Sequence, residues 1–419
     1  MPAWYTRLSV ILFVSLLINI VYLLVHGQYN PIMSDQADYH RIAIDILHGK
    51  GYGGSSMRCM LYPAFLSAIY GLVGIKPVAV FCVQIGMSLL NMLMAYRIAW
   101  RVFNQQVAYL SAWLLCFNIP SVAANSMLMT ENLFVFTLLC SVYFFIYPLI
   151  KSAKADESID TTKTITPCSL PFIAYYLLAG FFFALATLTR EMVVYLIPLM
   201  LLAVVYNNWQ SLRKIVLPTL VFLGIYAAVL SPWVWRNYLV HGHFVLGTTR
   251  GGLVLYDGAN PIDGYKYGFD VQDSITNYAN THIANEADRS SYLAQKTKQQ
   301  LLAQPQRIPY LLALKTVYFF WMFDCELARF KILAISYLVW FPFWVIGCYF
   351  IYQKRRQLPR WRSILLLLGL VLFNLGICWL TYGSPRFRYV TEIYMIIIAA
   401  YGLQQSAFIF QKKQAASNL

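Results

Sequence analysis

Long apolar stretches recur along the chain between short polar segments. A helix needs roughly 20 mostly apolar residues to cross a ~30 Å hydrocarbon layer. The alternating pattern of a membrane β-barrel is absent, so we predict an all-α, multi-pass membrane protein. About ten spans are predicted, at 8–26, 77–96, 107–124, 131–150, 170–188, 191–206, 215–235, 332–352, 363–382 and 389–410.

The composition agrees with this fold class. Of the 419 residues, 59% are hydrophobic and only 12% are charged, which excludes an ordinary soluble protein. We attribute the net charge of +15 to cytoplasmic loops and the membrane surface. Membrane lipids are therefore expected partners, and nucleic acid is not. The first apolar stretch has no small-residue cleavage site after it, so we expect it to be retained as a span.

The distribution of Lys and Arg predicts the orientation. With the N-terminus inside, the cytoplasmic segments hold far more Lys and Arg than the short outer loops, and both termini are cytoplasmic. The long segment 236–331 is also rich in Lys and Arg, but long translocated loops count little in this rule. A single transmembrane domain, 1–410, then includes a first outer loop at 27–76 and a long outer loop at 236–331, and 411–419 is a cytoplasmic tail. An eleventh span at Pro309–Phe323 would put Lys354–Arg362 outside. We predict instead a helix along the outer interface there, with Tyr310, Tyr318, Phe319 and Trp321 as belt residues.

This topology concentrates acid–base groups on the outer side. Of the 17 Asp and Glu residues, only Asp156, Glu157 and Asp160 fall in a cytoplasmic loop. All six histidines, at 26, 40, 48, 241, 243 and 282, lie outside or near outer span ends. Within the first outer loop, Tyr39, Ala43, Ile46 and Leu47 have the spacing of an amphipathic helix that Ser34 would cap and Gly49 or Gly51 would end.

Asp35 falls in the first turn of that helix, where the helix dipole favours an ionised carboxylate suited to a general base. A simple solvated helix start is an equal alternative. Glu131 begins an apolar span, where a carboxylate is costly unless it is paired or lines a cavity. Arg190 and Glu191 follow a span, and a mutual salt bridge closing a helical hairpin is one interpretation of them.

Basic and glycine-rich segments supply candidate anion sites. Arg386 and Arg388 occupy a very short outer loop against the usual charge preference, which suggests an anionic ligand such as phosphate. The segments 247–252 and 258–261 are rich in glycine but lack the Gly-Lys-Ser/Thr of a P-loop. Their backbone N–H groups could bind phosphate, although turns in a loop are the simpler interpretation.

Taken together, these segments resemble the GT-C superfamily of polyprenyl-phosphate-dependent glycosyltransferases. The similarity is greatest to bacterial relatives of dolichyl-phosphate-mannose protein mannosyltransferases and to lipid A aminoarabinose transferases, and it spans about residues 30–400. It is carried, in chain order, by Asp35, Tyr39, Ala43, Gly49-Lys50-Gly51-Tyr52, Arg58, Tyr62-Pro63, Glu131, Leu188-Thr189-Arg190, Pro232-Trp233, Arg236-Asn237-Tyr238, Gly251-Gly252, Gly258-Ala259-Asn260-Pro261 and Arg386-Phe387-Arg388.

The resemblance implies an inverting transferase that moves a monosaccharide from a polyprenyl-phosphate donor to a hydroxyl of a glycan, lipid or protein acceptor. Asp35 would be the catalytic base. The implied donor-phosphate and substrate-binding residues are Arg58, Glu131, Arg190, Arg236, Asn237, Tyr238, Arg386 and Arg388, with Asp38, Tyr39 and Tyr62 as secondary candidates. It also implies the bacterial cytoplasmic membrane, with the active site on the periplasmic face.

No cofactor follows from the sequence. A divalent metal stays an open alternative, with His40 beside Asp35 or Asp38, or His241 with His243, as the ligands, but no established metal-site spacing indicates one. Because no large soluble C-terminal domain is present, acceptor recognition is expected from the outer loops. Three alternatives remain open. They are a lipid or solute transporter, a non-catalytic receptor or assembly subunit, and an oligosaccharide ligase or polymerase that uses a lipid-diphosphate donor.

Overall fold

The computed structural model describes residues 3–26, 32, 34–157, 170–209, 211–259, 273–320, 331–358, 360–381 and 385–417. Within these ranges the regular structure is helical. The helices are α1 (Ala3–His26), α2 (Asp35–Leu47), α3 (Leu61–Val73), α4 (Pro77–Val102), α5 (Gln105–Cys116), α6 (Ile119–Ala124), α7 (Glu131–Glu157), α8 (Leu170–Thr189), a 3₁₀ turn (Glu191–Leu196), α9 (Ile197–Asn208), α10 (Leu212–His241), α11 (Gly251–Ala259), α12 (Ser274–His282), α13 (Glu286–Ala303), α14 (Arg307–Phe320), α15 (Lys331–Lys354), α16 (Trp361–Leu380) and α17 (Pro385–Ser417).

The membrane-spanning character predicted from the sequence is confirmed. In the described ranges, eight helical segments are long and apolar enough to cross a membrane. They match eight of the predicted spans, and they are Leu8–His26, Pro77–Val102, Glu131–Leu149, Phe172–Thr189, Glu191–Asn208, Leu212–His241, Trp361–Leu380 and Arg388–Gln411. The chain is therefore an all-helical, multi-pass membrane protein.

The other two predicted spans differ from these eight. The span at 107–124 is divided into α5 and α6, because Pro120 at the start of α6 lacks the N–H that a continuous helix would use. The span at 332–352 is a continuous helix, α15, of 24 residues with Pro342 inside it. The predicted tail at 411–419 begins within α17, which continues to Ser417.

The predicted inner and outer loops lie at opposite ends of the bundle. At one end, Arg360 donates a hydrogen bond to the backbone oxygen of Arg101, the penultimate residue of α4. At the other end, Arg190 after α8 pairs with Glu131, the first residue of α7. Each of these two contacts joins segments that were predicted to lie on the same side of the membrane. Which end faces the cytoplasm stays a prediction from the distribution of basic residues.

Glycines allow close helix contacts in the bundle. A Cβ at Gly402 of α17 would collide with the backbone oxygen of Phe343 in α15, and one at Gly347 with that of Ile398. Gly180 of α8 likewise lies against the backbone of α10. Small residues bring helix backbones together where packing, and not the expulsion of water, must hold them.

The end that is predicted to face outward carries the predicted amphipathic helix and a small helical layer. In α2, Tyr39 and Ala43 are buried against α3, as their spacing predicted. The helix begins directly after Ser34, although the Ser34 hydroxyl makes no capping hydrogen bond. It ends before Gly49, whose φ of 77° suits a residue without a Cβ. Helices α11, α12 and α13 pack together around Tyr256 and Leu293.

Helix α14 occupies the segment predicted to lie along the interface, and it packs against α16 and α17. Tyr310 is exposed as a belt residue would be, but Phe319 is fully buried and Trp321 lies outside the described residues. Lys315 is also buried and donates a hydrogen bond of 2.9 Å to the backbone oxygen of Trp379. Burial lowers the pKa of Lys315 from its ordinary 10.5 to about 8.

Candidate functional site

The start of α2 and the loop before α3 form a compact charged cluster. Arg58 Nη2 donates hydrogen bonds to Asp35 Oδ1 at 2.6 Å and to Asp38 Oδ2 at 2.8 Å. The Arg58 guanidinium also lies 5.3 Å from the centre of the Tyr39 ring. Burial opposes the charge of Arg58, but Tyr39 and the two carboxylates outweigh it and raise the pKa of Arg58. Four of the sequence-predicted residues are therefore brought into contact.

A second arginine, which is distant from Asp35 in the sequence, also lies close to it. Arg250 Nη1 lies 3.7 Å from Asp35 Oδ1, and Arg250 immediately precedes α11. Arg250 was not among the residues predicted from the sequence, because its segment was interpreted through glycine turns and backbone N–H groups. A basic residue beside Gly251-Gly252 in an outer loop was the available signal.

Glu131 and Arg190 form a buried ion pair. Arg190 Nη2 lies 2.6 Å from Glu131 Oε1, and Arg190 Nε donates a hydrogen bond of 3.0 Å to Thr130 Oγ1. This pairing explains how a carboxylate is tolerated at the start of an apolar helix. Glu191 instead accepts hydrogen bonds from the backbone N–H and the hydroxyl of Thr248. The two hairpin residues thus bind different elements.

Five of these charged groups line one cavity of about 180 Å³ at the end of the bundle that is predicted to face outward. Its polar wall holds Asp35, Arg58, Arg190, Glu191 and Arg250. The remaining wall is largely apolar and includes Phe134, Leu138, Val193, Leu196, Val254, Phe373, Ile377 and Val390. Two carboxylates and three guanidinium groups therefore face a space that continues along the membrane-spanning helices. An amphipathic anion suits such a cavity.

Arg236 and Asn237 organise the first outer loop. Arg236 donates hydrogen bonds to the backbone oxygens of Gly53 and Ser55 and to the Ser56 hydroxyl. Asn237 accepts a hydrogen bond from the Ser56 hydroxyl at 2.8 Å and donates one to the backbone oxygen of Val245 at 3.0 Å. Neither is among the residues that line the cavity of Asp35.

The same loop is held from α13 by Glu286, which accepts hydrogen bonds from the Ser56 N–H and the Thr249 hydroxyl. Burial favours the protonated acid, but these hydrogen bonds outweigh it and lower the pKa of Glu286. Two further predicted residues also lie apart from the cavity lining. Tyr238 is half exposed on α10, and Tyr62 is buried with its hydroxyl donating to Gln84 Oε1.

Arg388 is buried beside the cavity region but is occupied by other groups. Its Nε donates a hydrogen bond of 2.9 Å to Glu392 Oε1, and its Nη1 donates one of 2.9 Å to the backbone oxygen of Phe319. The Tyr337 ring covers the guanidinium at 4.2 Å. Arg388 is only 5% exposed. Arg386 lies in the first turn of α17, and its side chain falls outside the described residues.

The comparisons with known proteins agree with this architecture. Residues 58–156 match the family model described as dolichyl-phosphate-mannose-protein mannosyltransferase. The structure is similar to the oligosaccharyltransferase AglB from Archaeoglobus fulgidus in complex with an inhibitory peptide and a dolichol-phosphate. The TM-score is 0.58 and the identity 13%, over 99% of this chain and 52% of that one. The apo form of the Archaeoglobus fulgidus enzyme gives a TM-score of 0.56 and 14% identity, over 99% and 52%.

The chain has the GT-C fold. It spans about half the length of these archaeal chains. ArnT from Cupriavidus metallidurans bound to undecaprenyl phosphate is more distant. Its TM-score is 0.42 and its identity 11%, over 95% of this chain and 76% of that one, which is too weak to support an inference. No curated protein sequence matches the chain. The fold that the sequence resemblance implied is therefore confirmed.

The GT-C fold assembles the cavity from both sides of the matched segment. The matched residues 58–156 supply Arg58, Thr130 and Phe134 to the cavity lining, whereas Asp35 precedes them and Arg190 and Arg250 follow. Among the described residues, no three His, Cys, Asp or Glu side chains converge as a metal site would require.

Proposed function

We propose that this GT-C protein is an inverting glycosyltransferase that moves a monosaccharide from a polyprenyl phosphate to an acceptor hydroxyl at the outer face of the membrane. One observation carries the proposal. A single cavity presents the carboxylate of Asp35 together with Arg58, Arg190 and Arg250, and its other wall is apolar. A lipid-linked sugar phosphate has matching parts, because its phosphate suits the arginines and its isoprenoid chain suits the apolar wall.

The three arginines suit a leaving phosphate. The phosphodiester of the donor gains negative charge as the sugar leaves, ending near the −1.5 to −2 typical of a phosphate monoester at pH 7. Guanidinium groups aimed at charge that develops in the transition state lower the barrier more than they tighten ground-state binding. Arg58 and Arg250 converge on one carboxylate oxygen in the structure, which is the kind of position a phosphate oxygen would take.

Asp35 suits the base. In a single displacement, the acceptor oxygen bonds to the anomeric carbon as the bond from that carbon to the phosphate oxygen breaks. The hydroxyl proton passes to Asp35, and the lipid phosphate leaves with the bonding electrons. Attack opposite the leaving phosphate inverts the anomeric configuration. Binding of the donor phosphate to Arg58 and Arg250 would release Asp35 from its present ion pairs and make it available to the acceptor.

The apolar wall suits the isoprenoid chain. Phe134, Leu138, Phe373 and Val390 come from spans that face one another below the arginines. A polyprenyl tail placed there leaves its phosphate at the charged end. The small volume of the cavity, about 180 Å³, favours a single sugar unit over a longer glycan.

The side of the membrane follows from the basic residues of the predicted cytoplasmic loops, which predict this cavity at the periplasmic face and both termini in the cytoplasm.

In this proposal, the predicted arginines have separate roles. Arg58, Arg190 and Arg250 bind the phosphate, and Glu131 orients Arg190 through its ion pair. Arg236 and Arg388 hold the surrounding elements in place, because their donors are directed to backbone oxygens and to Glu392.

The test is sugar transfer by the purified protein in lipid nanodiscs, with a panel of polyprenyl-phosphate monosaccharides as donors. Asp35→Asn should reduce transfer by about 10²–10⁴-fold, the usual contribution of a general base. Asp45→Asn is the matched control, because Asp45 lies on the same helix but pairs at the surface with Lys50. Full activity of a folded Asp35→Asn protein would overturn the proposed mechanism.

A further inference from the structure

A second and larger cavity lies beside the arginine cavity. It has a volume of about 450 Å³ and is enclosed by the 3₁₀ turn after α8, the segment 243–249, the faces of α11 and α13, and the end of α16. Its size falls in the range of about 300–1,000 Å³ that is usual for small-molecule sites. Nothing in the proposed donor chemistry uses it.

The two cavities have a common wall. Glu191, Met192, Thr248 and Ile377 line both of them. Glu191 accepts hydrogen bonds from the N–H and the hydroxyl of Thr248, the latter at 2.7 Å. The loop segment around Thr248 is therefore bound to the 3₁₀ turn. Gly247 is required for this approach, because a Cβ there would collide with the Cβ of Glu191. A ligand in either cavity therefore touches the same boundary.

The chemistry of the second cavity differs from that of the first. None of its described lining residues is a lysine or an arginine, whereas the arginine cavity holds three guanidinium groups. Hydroxyl groups line it instead, from Thr249, Ser290, Ser291 and Thr381. Tyr195 and Phe244 add exposed aromatic rings. His243 also lines the cavity, and its Nε2 lies 3.0 Å from Asp288 Oδ1, so a carboxylate already engages this imidazole. Hydroxyls, a carboxylate and aromatic faces suit a neutral, polyhydroxylated ligand better than a phosphate.

We propose that the second cavity binds a neutral sugar unit of the acceptor, so that the acceptor is a carbohydrate and not a polypeptide. This inference rests on the proposed function and adds its acceptor class. The acceptor sugar sits on the hydroxyl-lined side of the common wall, the donor phosphate on the arginine side. The attacking hydroxyl crosses the boundary beside Thr248. The Glu191 carboxylate is a positioning group for that hydroxyl, while Asp35 receives its proton.

The experiment measures protection of engineered cysteines from a maleimide in nanodiscs. Ser291→Cys reports on the second cavity, Met57→Cys on the arginine cavity, and Thr281→Cys on an exposed position of α12 as the control. The probes are n-octyl β-D-glucoside, n-octyl α-D-mannoside and undecaprenyl phosphate. At roughly ten times its Kd, a glycoside that binds the second cavity should slow labelling of Ser291→Cys about tenfold. Labelling of Met57→Cys and Thr281→Cys should not change.

Undecaprenyl phosphate should give the opposite pattern, protecting Met57→Cys only. Protection of Ser291→Cys by undecaprenyl phosphate would overturn the inference. Failure of both glycosides to protect Ser291→Cys would overturn it as well. A second variant, Ser291→Trp, fills the cavity and should raise the KM for a sugar acceptor without changing the Kd for undecaprenyl phosphate. Absence of transfer from every polyprenyl-phosphate donor would refute the proposed function instead, since the labelling result does not depend on turnover.

Discussion

Arg250 gives the sharpest test of the phosphate assignment, because only the folded structure places it beside Asp35. The perturbation is Arg250→Gln, which keeps a polar side chain of similar reach and removes the charge. Arg250 lies 3.7 Å from Asp35, and both side chains are largely buried. A hydrogen bond to a charged group contributes about 1.5–3 kcal/mol. Loss of one such contact to phosphate should therefore weaken binding about 10–100-fold.

The assay is equilibrium binding of undecaprenyl phosphate to the protein in nanodiscs, followed by intrinsic fluorescence. Arg41→Gln is the control, because Arg41 is an exposed arginine on α2 whose 3.8 Å contact with Asp38 lies at the surface. It should leave Kd within about twofold of wild type, since surface pairs contribute little. Wild-type affinity in a folded Arg250→Gln protein, or equal losses in both variants, would refute the reasoning.

Three further predictions concern the fold and its pH dependence. Arg388→Met should destabilise the protein by about 3–5 kcal/mol because it removes the positive charge that pairs with the buried Glu392 carboxylate, and Glu392→Leu in the same chain should restore most of the loss in a thermal unfolding assay. Gly402→Val should lower Tm, because its side chain would collide with the backbone at Phe343, and wild-type stability would contradict this packing. The pKa of Lys315 is lowered to about 8 by burial, so the unfolded chain binds the extra proton between about pH 8 and 10.5. Stability should rise with pH through that window in wild type but not in Lys315→Met, and parallel profiles for the two proteins would contradict the burial of this lysine.

The spans could be predicted from the sequence because crossing a membrane depends on length and apolarity, which are local properties. The division of the predicted span at 107–124 is also local in origin. Pro120 causes the break, but the hydropathy averaged over the whole stretch does not register the loss of a single backbone hydrogen bond. The amphipathic helix at Asp35–Leu47 was predicted correctly because its buried stripe follows the helical period.

The contacts that each charged side chain makes with residues distant in sequence could not be predicted. Arg190 lies beside Glu191 in the chain, yet it pairs with Glu131 on another helix, and Glu191 is bound to Thr248. Arg388 has the charge of a phosphate ligand, but Glu392, one helical turn away, occupies it. Arg250 was missed for the converse reason. Its neighbours predict a turn, and only the packing of α11 brings it to Asp35. Residue type and charge were therefore not enough to distinguish ligands from structural pairs.

The most direct measurement is an experimental structure of the protein with undecaprenyl phosphate bound. The account predicts density for the phosphate within about 3 Å of the guanidinium nitrogens of Arg58, Arg190 and Arg250. The isoprenoid should extend along Phe134 and Leu138. Phosphate density in the hydroxyl-lined cavity, or at Arg388 with the arginine cavity empty, would contradict it.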